Sequence, residues 1–384
     1  MKEKFYFKGL NGLRFIAAVL VVIWHSNRII NPSGAENPIW HFFSQNGSNS
    51  VNFFFVLSGF LISYLLISEF EESGTIIVKR FYFKRILRIW PIYYFLIIFV
   101  QIILPLVFHL FGKKYLEISN FSIFFYLVIL PNIPYVFELG IGKIGHLWSI
   151  GVEEQFYLVW PLITKKVKKN LIKVCCFIVG LKWLFYFFTI SDGGSFDSNG
   201  IRLVIALINN FAIENMAIGG IGAYFVFYHK DALMRSSIFS LQMQILLFGL
   251  LFFYMSTNET VIFIPIVKSF YHILFSKSVL GLVFVPVLFL YVIINTSLNE
   301  KSIIRTESKL LNYLGNISYG IYIYHMIAIY MVEALMVKLK LQAGSIFFGA
   351  IFLILVFAIN IAIASVSFKY FESIFLKMRP KEYS

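Results

Sequence analysis

Charge is scarce in this chain. Only 14% of its 384 residues are Asp, Glu, Lys or Arg, against 59% hydrophobic and 19% aromatic. Soluble domains carry about 25% charged residues, so this composition excludes one and defines an integral membrane protein. Cysteine is nearly absent too. Cys175 and Cys176 are adjacent in an apolar run, which excludes both a disulfide framework and metal-ligand spacing. There is no Gly-rich phosphate loop, no internal repeat of the kind that builds inverted-repeat transporters, and no long polar block for a second, soluble domain. No small-residue cleavage site follows the first apolar run, so it is not expected to be a removed signal peptide.

Apolar runs fill the remainder. Candidate spans lie at about 10–29, 51–69, 89–111, 147–164, 171–190, 203–227, 238–256, 279–294, 315–337 and 345–367, each long enough for a tilted or slightly short crossing. Two further stretches are broken: 121–137 by Pro131 and Pro134, and 261–275 by Pro265, Lys268 and His272. The net charge of +14 sits in short clusters between apolar runs, the pattern of the positive-inside rule and not of a nucleic-acid-binding face. Ten crossings with both termini in the cytoplasm put most of the 33 lysines and arginines on the cytoplasmic side. The two broken stretches then read as re-entrant or surface-lying segments on the outer side. The expected fold is all-α, one polytopic domain over 1–384. Residues 191–200, rich in Ser, Asp and Gly, are expected to form an outer loop, and Gly219, Gly220 and Gly222 to permit close helix packing.

A few ionisable residues interrupt the spans, and such residues usually line a cavity or pathway. Arg14 and His25 bracket ten apolar residues, roughly 15 Å of helix, so at least one of them enters the hydrocarbon. Eleven positions make close to three full turns, which places both on one helix face. His25 is therefore a candidate general base, since imidazole titrates near neutral pH. In the run from Gly145 to Tyr157, His146, Ser149, Glu153 and Tyr157 follow helical spacing, with Glu154 pointing elsewhere. A buried carboxylate must be paired or protonated, and the expected partners are imidazoles or Arg14. Lys84, Arg85 and Arg88 cluster at the cytoplasmic edge of the third span, as suits either lipid head groups or a phosphorylated ligand. Ser318, Tyr322 and His325 align at the start of the ninth span.

In order along the chain, these segments resemble the acyltransferase-3 family of integral membrane acyltransferases. The carriers are Arg14-(ten residues)-His25; Phe53-Phe54-Phe55-Val56-Leu57-Ser58-Gly59-Phe60; Arg85-Ile86-Leu87-Arg88-Ile89-Trp90-Pro91; His146-Leu147-Trp148-Ser149 with Val152-Glu153-Glu154-Gln155-Phe156-Tyr157; and Ile317-Ser318-Tyr319-Gly320-Ile321-Tyr322 with His325. The likeness covers about residues 8 to 370. It implies ten helices, a cytosolic acyl-CoA donor (usually acetyl-CoA), no metal, and an acceptor hydroxyl on an envelope glycan such as lipopolysaccharide or exopolysaccharide, or on a lipid-linked precursor. It further implies a bacterial inner-membrane O-acyltransferase; some members of the family carry an extra extracytoplasmic domain, and none is expected here because the sequence ends at Ser384, soon after the last span. Arg14, Lys84, Arg85 and Arg88 would hold the donor. His25 would be the base, oriented by Glu153. Ser58, His146, Ser149, Tyr157 and His325 would place the acceptor or the oxyanion. The competing expectation is a proton-coupled transporter or flippase using the same Arg, His and Glu as a relay.

Overall fold

The first apolar stretch forms a 21-residue helix, α1 (Leu10–Ile30), in the computed structural model of the chain. The structure describes residues 7–31, 38–110, 119–139, 142–191, 208, 211–257, 264–275, 280–341 and 343–380. Just before α1 stands Gly9, in the left-handed region at φ 73°. A Cβ there would lie 2.8 Å from Thr306 Oγ1, whose hydroxyl donates to the Gly9 carbonyl at 2.7 Å. The turn into α1 is thus tied to the far end of the chain, and only glycine fits it.

All regular elements among the described residues are helical. A long helix α2 (Pro38–Ser73) leads to α3 (Val78–Ile98), which continues through a π-helical turn (Phe99–Ile103) into α4 (Leu104–Leu110). The hairpin between α2 and α3 is fixed by one carboxylate. Glu69 Oε1 accepts from the Ile77 backbone N–H at 3.1 Å and from Arg80 Nη2 at 2.7 Å, satisfying a donor near the start of α3 that would otherwise be orphaned. Two short helices come next, α5 (Asn120–Leu127) and α6 (Asn132–Val136). Eight and five residues rise only about 12 and 8 Å, so the stretch 121–137 is folded into a corner and does not form one crossing helix.

After a 3-10 turn (Gly142–Leu147) come α7 (Trp148–Val167), α8 (Leu171–Ser191), α9 (Ile213–Arg235) and α10 (Leu241–Ser256). The second broken stretch supplies the ten-residue α11 (Pro265–Leu274). The chain continues with α12 (Gly281–Leu298), α13 (Lys309–Asn316), α14 (Ser318–Lys338) and α15 (Ile346–Ser367). A second π-helical turn (Phe368–Glu372) then passes into α16 (Ser373–Lys377).

Six helices among the described residues are long and apolar enough to cross a membrane: Leu10–Ile30, Asn46–Ser73, Val78–Leu106, Gly281–Leu298, Ser318–Lys338 and Ile346–Lys377. The chain is a polytopic membrane protein. The gap between six and the expected ten has local causes. Helix α7 carries Glu153, Glu154, Lys165 and Lys166 within 20 residues, and α10 has only 16 residues. The N-terminal part of the expected span 203–227, and the expected outer loop 191–200 beyond Ser191, lie outside the described residues.

Helix α9 packs along α2 and also meets α8 and α12. The α2–α9 crossing depends on missing side chains. A Cβ on Gly59 would lie 2.0 Å from the Met216 carbonyl oxygen, and one on Gly219 would lie 2.1 Å from that of Val56. Backbones can approach this closely only where small residues face each other. Outward-facing Leu158, Leu162, Phe252, Phe347 and Ile354 are exposed, as expected of a surface solvated by acyl chains. Helices α1, α2, α3, α7 and α14 then enclose the polar interior.

Candidate active site

Where these five helices converge lies a cavity of about 230 Å³. Its walls include Arg14 from α1, Ser58 from α2, Arg85 and Arg88 from α3, Ser149, Glu153 and Tyr157 from α7, and Tyr319 and Tyr322 from α14. Three guanidinium groups thus stand at one part of it, near enough to repel one another. Arg14 donates to Asn11 Oδ1 at 3.2 Å, and Arg85 stacks over the rings of Phe81 and Tyr157, 5.6 and 5.2 Å from their centroids. Lys84, one turn from Arg88, is not on the wall.

Glu153 lies near enough to Arg85 and Arg88 to feel their charge. Its Oε1 accepts from Ser58 Oγ at 2.9 Å and its Oε2 from Tyr157 Oη at 3.2 Å, while the two hydroxyl oxygens are 2.9 Å apart. Ser58 and Tyr157 thus give the buried acid two hydroxyl partners in place of water. Glu154, on the other flank of α7, accepts from Trp90 Nε1 at 2.9 Å through Oε2, and its Oε1 is buried without a partner.

Tyr322 closes the cavity on the far side. Its hydroxyl donates to the His146 carbonyl at 2.8 Å and lies 2.6 Å from Ser149 Oγ, so Ser149 donates to it. Behind Tyr322 three imidazoles stand in a row, steeply tilted to one another: the ring centres of His146 and His325 are 4.6 Å apart with their planes at 69°, and those of His325 and His25 are 4.7 Å apart at 53°. His325 Nδ1 lies 2.5 Å from the Tyr322 carbonyl and its Nε2 lies 3.3 Å from His25 Nδ1, which is also 3.0 Å from the Val21 carbonyl. Two backbone carbonyls fix the protons. Each Nδ1 must carry hydrogen to meet a carbonyl, so His325 Nε2 is an acceptor and His25 Nε2 is left as a bare lone pair. His146 Nε2 meets the Ile323 carbonyl at 3.2 Å, and its buried Nδ1 has no partner.

The expected face of α7 brings Ser149, Glu153 and Tyr157 onto the cavity. His146 leaves it because it belongs to the preceding 3-10 turn, where Ile144 departs from helical geometry at φ −118°, ψ 20°. The expected contact between Glu153 and His25 is not made: among the described residues the polar contacts of His25 go to Val21 and His325. Arg14 and His25 do share α1, at two levels about 16 Å apart along its axis, one beside the arginines and the other beside the histidines. Sequence reasoning missed Trp90, whose indole holds Glu154, and Tyr319, whose hydroxyl donates to the Ile89 carbonyl at 3.2 Å. Polar-headed aromatics deep in a span were the available signal. No cluster of three His, Cys, Asp or Glu suited to a metal is found among the described residues.

The cavity gathers buried guanidinium and carboxylate groups, with three imidazoles behind Tyr322, inside the helical bundle of an integral membrane protein. Residues 7–365 match the acyltransferase domain of the acyltransferase-3 family, and the chain belongs to that family. Among curated relatives, the peptidoglycan O-acetyltransferase OatA of Listeria monocytogenes is 31% identical over 184 residues, covering 46% of this chain and 27% of that protein. The O-acetyltransferase OatA of Staphylococcus aureus strain NCTC 8325 is 31% identical over 220 residues, covering 53% of this chain and 34% of its own. These alignments thus span about a third or less of each relative. No solved structure matches the chain.

Proposed function

We propose that the protein is a membrane O-acetyltransferase that takes an acetyl group from cytosolic acetyl-CoA and transfers it to a hydroxyl of an envelope glycan or its lipid-linked precursor. The observation that carries this reading is the layered interior: arginines, then an acid held by two hydroxyls, then Tyr322, then three imidazoles with one bare ring nitrogen. Arg14, Arg85 and Arg88 suit the phosphates of the donor, because guanidinium forks bind phosphate oxygens in pairs. Ten crossings of a bacterial cytoplasmic membrane with both ends inside put those arginines on the donor's side. The names of the relatives favour a cell-wall glycan over lipopolysaccharide or exopolysaccharide as the acceptor.

In the transfer, His25 Nε2 accepts the proton of the acceptor hydroxyl as its oxygen attacks the thioester carbonyl. The tetrahedral intermediate collapses with loss of the C–S bond, and the thiolate regains the proton from the imidazolium. The lone pair of His325 Nε2 steadies that cation through the hydrogen on His25 Nδ1. This part, first expected of Glu153, falls to a residue that meets His25 directly. Glu153 with Ser58, Ser149 and Tyr157 shapes the donor's path. Because Tyr322 stands between cavity and imidazoles, its side chain must swing aside for the acetyl group to reach His25.

The test supplies radiolabelled acetyl-CoA to proteoliposomes containing cell-wall glycan fragments. Label fixed on the glycan is expected with wild type and absent with an inserted His25→Ala protein. Equal labelling by both would overturn the assignment, and label that crosses the membrane without being fixed would mark a transporter.

A further inference from the structure

The C-terminal segment beyond residue 365 lies outside the family match, yet it returns to the arginine cluster. The π-helical turn Phe368–Glu372 redirects α15 so that this turn and α16 pack against α3. The extra residue of a π turn re-aims the helix beyond it, and such turns often sit at functional sites. Glu372 is held in place by Ser367, which donates to its Oε1 at 3.0 Å and is itself bonded to Tyr324 at 3.0 Å. Arg379 stands at the end of the segment, near enough to Arg85 and Arg88 to feel their charge. Burial and those two neighbours push its pKa down to about 10, so it remains a cation at neutral pH.

The state of that side chain is unusual. Its Nε and Nη2 are both buried and have no hydrogen-bond partner. These two nitrogens lie on one edge of the guanidinium plane, the edge that grips two oxygens of a phosphate at once. The ion pairs seen among the described residues, Arg80–Glu69 and Lys182–Glu214, include neither Arg379 nor Arg14, Arg85 and Arg88. Glu153 and Glu372 lie near enough to Arg85 or Arg88 to feel their charge, but among the described residues no carboxylate comes within ion-pair distance of the four arginines, and such an excess of guanidinium groups suits an anion with several charges.

We infer that Arg379 is a donor-binding residue, supplying from the C-terminal segment a bidentate grip on a phosphate group of the acetyl-CoA bound at the Arg14, Arg85 and Arg88 cluster. The inference rests on the proposed function and extends it beyond the family domain.

Binding of acetyl-CoA and of acetylpantetheine, which lacks every phosphate, is measured by titration calorimetry on the full-length protein in nanodiscs. Arg379→Ala is expected to weaken acetyl-CoA binding by about tenfold or more, the range for a hydrogen-bond pair to a charged group, and to leave acetylpantetheine binding unchanged. Arg379→Lys keeps the charge and loses the fork; it is expected to retain at least a threefold defect, and it serves as the readout should the alanine protein fail to insert. Equal acetyl-CoA affinity in variant and wild type overturns this inference alone. So does an equal loss for both donors, which marks a structural role. A wild type that binds no acetyl-CoA overturns the functional reading as well.

Discussion

His325 Nε2 lies 3.3 Å from His25 Nδ1, linking the first apolar helix to one 300 positions later. Since the Tyr322 carbonyl takes the hydrogen of His325 Nδ1, the contact holds His25 in the tautomer whose outer nitrogen is free to act as a base. Replacing His325 by Phe keeps the volume and removes the acceptor. Turnover is expected to fall about a hundredfold, the usual worth of correct acid–base placement, with the donor KM within a factor of three. Steady-state transfer by the purified, inserted variant measures both, and unchanged kcat contradicts the pairing.

Ser58 and Tyr157 are the two described donors to the buried carboxylate of Glu153. Ser58→Ala is expected to lower stability by about 1–3 kcal/mol, because one oxygen then loses its partner. Thermal unfolding in detergent, followed by intrinsic fluorescence, reports it. A Glu153→Gln change added to Ser58→Ala should recover part of the loss, since a neutral amide is less costly to leave half satisfied.

Two glycines provide a matched pair. Gly59→Ala thrusts a methyl against the Met216 backbone, whereas a Cβ at Gly180 meets nothing within 4 Å. The first is expected to lose about 1–3 kcal/mol through forced separation of α2 and α9. The second is expected to be neutral or slightly stabilising, as alanine is the better helix former. Parallel thermal unfolding distinguishes them, and equal behaviour would contradict the tight crossing.

Arg85→Gln and Arg88→Gln remove charge from the cavity wall while leaving the imidazoles untouched. Each is expected to raise the donor KM by about tenfold, with kcat changed less than threefold, as loss of uniform binding predicts. Initial rates at several acetyl-CoA concentrations separate the two parameters. A fall in kcat at unchanged KM would move these arginines from donor binding to chemistry.

Much of the site is legible in the sequence because membrane burial makes ionisable residues rare. Arg14, His25, Arg85, Arg88 and Glu153 are conspicuous against their neighbours, and helical spacing correctly joins Ser149 to Glu153 and Tyr157. What spacing cannot supply is partnership between distant helices. The carboxylate need of His25 rests on chemistry alone, and the fold meets it with His325, on a helix whose rotation no local pattern reveals. His146 reads as helical in the sequence because a 3-10 turn leaves no periodic mark in six residues. Arg379 draws no notice for the opposite reason: a basic residue near a cytoplasmic chain end is ordinary until a π-helical turn swings it inward.

Tyr322 has a bearing on the cell's energy supply. A file of cations, acids and imidazoles through an energised membrane is the makings of a proton wire, and a continuous one would discharge the gradient that drives the cell. With its hydroxyl committed on one side to Ser149 and on the other to the His146 carbonyl, this phenol breaks the file at one ring's thickness. Any continuous path for protons past this point would require Tyr322 to move.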